Sequence, residues 1–297
     1  MAMQVAGKTA ILTGAGSGIT LCFAELLLSR GCNVVIADLT LRPESEALIS
    51  RYPLMSSGAR AIFQKTDVTD WAQMDKVFKV TIERFGGVDI VCPGAGVYEP
   101  TWSNFWQAPG TALSTDQTSS SRYRTLDINM VHPIRLTQLA IAHFVAQRKP
   151  GVVVHISSVA AQVPFFPTPL YVASKHALSG FVRSLSRLES PPPASRLPKI
   201  RVNAVAPARI LTPLWTESPD KMKMVNQDDP GWIGPEEVAK VMLELVEKEE
   251  NVGGTIVEVG ERVRVVKPFD DPGPYGAVEL LMGLKEDTID FFLIQSA

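Results

Sequence analysis

The sequence predicts an α/β fold: one doubly wound sheet of about seven parallel strands, with helices on both faces. Three observations carry that expectation. Short apolar runs of strand length alternate with segments of helical period over most of the 297 residues. Several of these runs are apolar at consecutive positions, the pattern of strands covered on both faces. A glycine cluster, "TGAGSGIT" (13–20), closes the first run and opens the first helix.

The elements follow in order. "TAILTG", near Thr9, leads into "ITLCFAELLLSRG", which places Phe23, Leu26 and Leu27 on one helical face and stops at Gly31. "NVVIADL" (33–39) is a second buried strand and "ARAIFQKTDV" a third. "WAQMDKVFKVTIERFG" sets Trp71, Met74, Val77, Phe78 and Ile82 at helical spacing, and "VDIVCPGAG" is a fourth strand entering a glycine turn. Residues 98–123 are polar and read as a mobile loop. A helix at about 124–148, the strand "GVVVHISS" and a helix from about Tyr171 to Glu189 come next. "SPPPASRLP" (190–198) stops that helix, because proline lacks the N–H and clashes with the preceding turn. The strand "IRVNAVAP", a variable loop, the helix "PEEVAKVMLELVEKE" and the strand "GTIVEVG" complete the pattern. One domain spans 1–297, with a core at about 5–260 and a C-terminal extension at 261–297.

Composition narrows the function. Apolar residues make up 45%, charged residues 20%, and the net charge is −2, which gives no electrostatic reason to expect nucleic acid or an anionic membrane. No apolar stretch reaches the length of a membrane span. Cys22, Cys32 and Cys92 show no CxxC spacing and read as reduced, buried thiols. His132, His143, His155 and His176 show no ligand spacing, so no metal site is expected. With no charged-then-apolar leader, a cytoplasmic location is expected.

A lone glycine cluster is a weak signal; here strand, turn and helix occur in the order a dinucleotide requires. Gly14 permits the sharp turn. Ser17, Gly18 and Ile19 then bring the backbone to a pyrophosphate at the helix N-terminus, where the dipole favours anions. A bare βα turn would share these glycines, but Asp38 ends the second strand 24 residues after Gly14. A carboxylate there accepts hydrogen bonds from both hydroxyls of an adenosine ribose and repels a 2′-phosphate. Neither Ser17 nor Leu39 supplies a compensating cation, so NAD is expected over NADP, with Arg42 the nearby residue that argues the other way. Asp67, with Val68 beside it, is placed to meet the adenine edge. "PGAG" lets Gly94, Ala95 and Gly96 pass close to the ribose.

The chemistry falls in "HISSVAAQVPFFPTPLYVASKHAL". Tyr171 and Lys175 are spaced i, i+4 and share a helical face. A free tyrosine has a pKa of about 10, too high for an efficient base near neutrality. The lysine ammonium and an oxidised nicotinamide both favour the phenolate; a depression of about three units needs roughly 4 kcal/mol. Tyr171 then takes a proton from an alcohol as hydride leaves, or returns it to a carbonyl oxygen. Ser158 ends the fifth strand and can hold the substrate oxygen, with Ser157 the competing choice because neighbouring strand residues face opposite ways.

Together with "TGAGSGI", "DVTD" and "VNAVAPARILTPL", this Ser–Tyr–x–x–x–Lys set resembles the short-chain dehydrogenase/reductase family from about Lys8 to Gly260. The resemblance implies a Rossmann-type sheet and catalytic roles for Ser158, Tyr171 and Lys175, with the last two also touching the cofactor. It assigns to Asn129 the family asparagine whose backbone helps hold a water linking the lysine to solvent. It also places Pro207, Ile210 and Thr212 around the nicotinamide, and implies a homodimer or homotetramer through the helices at 124–148 and 171–189. Three positions depart from the family: Thr20 replaces the last glycine of the turn, "PGAG" replaces Asn-Asn-Ala-Gly, and Ala208 replaces the glycine of a Pro-Gly turn. Within the family the pattern is similar to NAD-dependent hydroxyprostaglandin-dehydrogenase-like and fungal polyketide alcohol dehydrogenases.

Val163, Phe165 and Phe166, with Tyr98, Trp102, Leu214 and Trp215 on two other loops, are the expected substrate wall. Aromatics at the carboxyl end of a sheet suit a lipophilic or aromatic molecule, a fungal secondary metabolite among them. The expected function is NAD-dependent interconversion of a secondary alcohol and a ketone. The alternative is a cofactor-binding protein that acts by regulation or non-redox cyclisation.

Overall fold

The computed structural model describes residues 1–192, 195–223 and 231–268. Strands β1 (Thr9–Thr13), β2 (Asn33–Asp38), β3 (Ala61–Lys65), β4 (Ile90–Pro93), β5 (Gly151–Ile156), β6 (Ile200–Pro207), β7 (Ile256–Val259) and β8 (Val263–Val265) form one sheet. Their order is β3-β2-β1-β4-β5-β6-β7-β8. The first seven pair in parallel, whereas β8 runs antiparallel to β7, with Val257 opposite Val265. Eight strands therefore replace the expected seven. The eighth was read as tail because it is a short exposed edge, tied down by Arg264 on Glu258 at 2.6 Å. The rest of the expected extension, 269–297, lies outside the described residues.

The helices are α1 (Gly18–Ser29), α2 (Pro43–Arg51), α3 (Trp71–Phe85), α4 (Arg124–Leu126), α5 (His132–Gln147), α6 (Pro169–Ser184), α7 (Pro213–Thr216), α8 (Pro219–Met222) and α9 (Pro235–Glu247). Continuous apolarity in the strands has a direct cause. Ala10 and Leu12 of β1 pack with Phe23 and Leu27 of α1 and Met242 of α9, while Ile11 between them packs with Val77 of α3 and Leu136 of α5. Each face of the sheet thus carries its own core, so successive strand residues are all buried.

Sequence and structure part in several places. Trp71 and Ile82 lie outside the core, 51% and 41% exposed, while Met74, Val77 and Phe78 carry the buried face of α3. The Trp71 ring instead lies under the Arg135 guanidinium. Helix α2 went unpredicted because its nine residues bury just Ser45 and Leu48, too few to show a period. The 98–123 segment is strapped from within: buried Asp116 accepts from the Ser103 hydroxyl at 2.7 Å and the Arg124 N–H at 2.9 Å. Buried Ser103 in turn accepts from the Thr125 N–H at 2.9 Å.

From β1 the chain winds outward through β2 to β3, then returns to place β4 on the other side of β1. That reversal opens a crevice at the carboxyl ends of β1 and β4, where Thr13 lies opposite Pro93.

Candidate active site

Gly14, at φ 67°, turns the chain out of β1, and a Cβ there would lie 2.5 Å from the Ala95 Cα. Glycine is required on both counts. Ser17 is the N-cap of α1 but makes no side-chain cap, and no acidic residue sits in the first turn. The leading N–H groups of α1 are left to an anion from solution. Across the loop, Asp38 is fixed by two backbone donors, Gly16 at 2.8 Å and Leu39 at 2.7 Å. A cavity of about 870 Å³ runs from this end to Lys175. Gly14, Ser17, Gly18, Ile19, Asp38, Asp67, Val68, Gly94, Ala95 and Gly96 line it, and so do Pro207, Ile210 and Thr212. These residues fit a dinucleotide: a glycine cradle, an uncapped helix end and an anchored carboxylate stand in the needed order. Arg42, the cation that would favour a 2′-phosphate, is held by Glu217 at 2.6 Å across the mouth.

The three departures from the family pattern find local explanations. Thr20 is buried, and a Cβ on Gly94 would come within 2.9 Å of its Cγ2 and 2.8 Å of the Thr13 carbonyl. The threonine occupies the room that glycine at 94 leaves open, so the two departures exchange volume. The lost amides are replaced as well. Thr13 Oγ1 accepts from the Gly94 N–H at 3.0 Å and lies 3.0 Å from His132 Nε2, whose other ring nitrogen meets the Ile128 carbonyl at 3.0 Å. Burial pushes His132 down to about 4, which keeps it neutral and able to accept from the threonine. Ala208 lies outside the left-handed region, so its methyl is tolerated.

At the other end β5 delivers Ser158 and α6 delivers Tyr171 and Lys175 to the same cavity. Ser157 lines the cavity too, but its hydroxyl lies 2.8 Å from that of Ser179. Lys175 Nζ donates to the Ile156 carbonyl at 2.8 Å and stands 5.4 Å from the Tyr171 ring centre. Asn129 does not line the cavity; it is buried within the π-turn Asp127–Val131. Its side chain clamps Val97 through both backbone groups at 2.8 Å. Pro133, four residues on, has no N–H to give the Asn129 carbonyl.

Burial dominates the electrostatics of this end. Burial pushes Tyr171 up to about 12, with the Ser158 hydroxyl pulling the opposite way. Burial also lowers Lys175 to about 8. The phenol is therefore protonated at neutral pH in the chain by itself.

Tyr98, Trp102, Val163, Phe165, Leu214 and Trp215 also line the cavity. Tyr98 packs edge-on to Tyr171 at 4.7 Å and tilted against Trp215 at 4.8 Å. Phe166 does not line it: the ring is 78% exposed and rests on Trp106. Four charged groups also stand at this end. Arg124 and Arg209 line the cavity, half-buried Lys221 faces the Tyr98 ring, and buried Glu99 reaches the start of α6.

An anchored carboxylate and an open helix end at one extreme, with a phenol and an ammonium at the other, are what an oxidoreductase working through a dinucleotide needs. Comparison with known families agrees: residues 8–223 match the short chain dehydrogenase model, and the chain belongs to that family. It is 28% identical to the rat 15-hydroxyprostaglandin dehydrogenase [NAD(+)], over 96% of this chain and 88% of that protein. It is 29% identical to the short chain dehydrogenase helC of Aspergillus fumigatus, over 91% of this chain and 93% of the relative. Among solved structures it resembles a Brucella melitensis short-chain dehydrogenase/reductase of the glucose/ribitol dehydrogenase type. The TM-score there is 0.68 at 28% identity, covering 87% of this chain and 97% of that one.

Proposed function

We propose that the protein is an NAD-dependent oxidoreductase that interconverts a secondary alcohol and a ketone on a lipophilic or aromatic small molecule. The observation that carries this reading is the cavity itself, which joins Asp38 to Ser158, Tyr171 and Lys175. Asp38 receives the adenosine ribose, the first turn of α1 the pyrophosphate, and Pro207, Ile210 and Thr212 the nicotinamide. When bound, the cofactor supplies the hydride acceptor or donor and, oxidised, a positive charge. Ser158 orients the substrate oxygen and Tyr171 moves the proton at that oxygen. Lys175 and the neighbouring positive charge offset the desolvation that otherwise keeps the phenol protonated. The aromatic wall of Tyr98, Trp102 and Trp215 selects for an apolar substrate. An intermediate of fungal secondary metabolism is a substrate of that kind. A cytoplasmic homodimer or homotetramer of single-domain chains completes the reading.

Fluorescence titration tests the cofactor. NADH is expected to bind at least tenfold more tightly than NADPH, and equal or reversed affinities contradict the assignment of Asp38. A screen of lipophilic secondary alcohols, followed by NADH absorbance, then finds the substrate class.

A further inference from the structure

Glu99 is 4% exposed and lies directly after the cavity residue Tyr98. Its backbone sits at φ 38°, in the left-handed region that glutamate rarely enters. The carboxylate takes part in no ion pair among the described residues. It accepts instead from backbone: Oε2 from the Tyr171 N–H at 2.9 Å, Oε1 from the Phe105 N–H at 3.0 Å. Thr168, the local N-cap of α6, makes no side-chain cap. The cap of this helix is therefore supplied from 72 residues away. A carboxylate suits that position, where unpaired N–H groups and the positive helix end converge. Burial pushes Glu99 up, and its backbone hydrogen bonds draw it back.

We infer that Glu99 is a positioning residue for Tyr171, and that with Tyr98 it fixes the tyrosine from two sides. Glu99 holds the backbone N–H, and the Tyr98 ring meets the Tyr171 ring edge-on. The inference rests on Tyr171 being the acid/base of the proposed reaction. Its physical content is that the i, i+4 face carrying Tyr171 and Lys175 is located by a charge on the β4 loop, not by the helix's own residues. A misplacement of about 1 Å in a reacting group costs on the order of a hundredfold in rate. Glutamine cannot replace this residue: its amide offers one oxygen and turns an NH₂ group toward the second backbone donor.

The test compares Glu99→Gln with Asp116→Asn, a buried carboxylate of the same loop that does not touch α6. Full-length protein is used, with NAD and 1-phenylethanol as probe. Glu99→Gln is expected to lose at least tenfold in kcat while its Kd for NADH stays within threefold of wild type. Asp116→Asn is expected to lower the melting temperature with kcat within threefold. A Glu99→Gln kcat within threefold of wild type overturns the inference, and so do equal losses of kcat in the two variants. A second measurement needs neither a variant nor turnover. In wild-type protein with NAD the Tyr171 amide is expected to exchange at least a hundredfold more slowly than that of Glu236, an exposed first-turn residue of α9. Equal exchange overturns the inference. Tyr171→Phe separates the two levels. If it keeps full turnover, the role of the tyrosine falls and the positioning with it; if it is inactive while Glu99→Gln is unaffected, positioning alone falls.

Discussion

At the exits of β1 and β4 the cavity wall is backbone and shape: the Gly14 turn, the open start of α1 and the close approach of Gly94 to Thr20. At the exits of β5 and β6 it is made of titratable side chains, Tyr171 and Lys175 above all, both displaced from their ordinary values by burial. The difference shows why the family pattern loosens where the wall is backbone, at the β1 and β4 exits and at Ala208 after β6, and holds at the titratable side chains. A backbone cradle needs a volume to be filled and N–H groups to be aimed, and different residue pairs can do both. Thr20 with Gly94 fills the volume, and Thr13 with His132 aims the amides. A phenol and an ammonium have no such substitutes, because the proton must sit on a group of suitable pKa at one point.

Removing the Lys175 ammonium, which the proposed reaction uses, gives a large expected effect. Lys175→Met is expected to lower turnover roughly a hundredfold or more, within the range for loss of a proton-handling group. The same change is expected to stabilise the cofactor-free chain by about 1–3 kcal/mol at pH 7, since charged Lys175 is buried at a cost. The sign follows from proton binding. Between about 8 and the ordinary lysine value of 10.5 the unfolded chain holds this proton and the folded chain does not, so the cost fades as pH rises through that window. Urea unfolding at pH 7 and pH 10 checks it: the gap between variant and wild type should shrink at the higher pH, and an equal gap at both breaks the contrast between the halves.

Adding side-chain bulk in the cradle is the next effect. Gly94→Asn restores an amide of the family pattern yet collides with Thr20, an overpacking of about 1–3 kcal/mol. NADH affinity is expected to fall about tenfold, and the double change Gly94→Asn with Thr20→Gly to recover part of it, because the Thr13 carbonyl still lies 2.8 Å from the new Cβ. Failure of the second change to rescue the first would show that the two positions do not exchange volume. Thr20→Gly alone gives the smallest effect, with NADH binding expected within about twofold by fluorescence titration. A larger loss would make the threonine a ligand in its own right.

How much of this was legible in the sequence follows the same division. Asp38 and Ser158 stand at strand exits and Tyr171 in the first turn of α6, and the order of strands and helices that places them is written in local periodicity. Strand β8 was hidden by its length and exposure, and α2 by its two buried residues. The 98–123 segment looked mobile because its internal links are polar, joining Ser103, Asp116 and Thr125, and polar composition does not distinguish a buried network from a solvated loop. Glu99 was illegible for a related reason. No local pattern marks a carboxylate that caps a helix 72 residues further on. The raised pKa of Tyr171 was also beyond the sequence, which shows that a lysine is near but not how completely both groups are desolvated.

The claim on which the functional account depends is that Tyr171 moves the proton while the cradle binds NAD independently of it. Turnover of an active secondary alcohol, followed by NADH formation, and NADH affinity are to be measured side by side for wild type and Tyr171→Phe. The account predicts a fall in kcat of roughly a thousandfold with NADH affinity unchanged within about threefold. Undiminished turnover by Tyr171→Phe would contradict it.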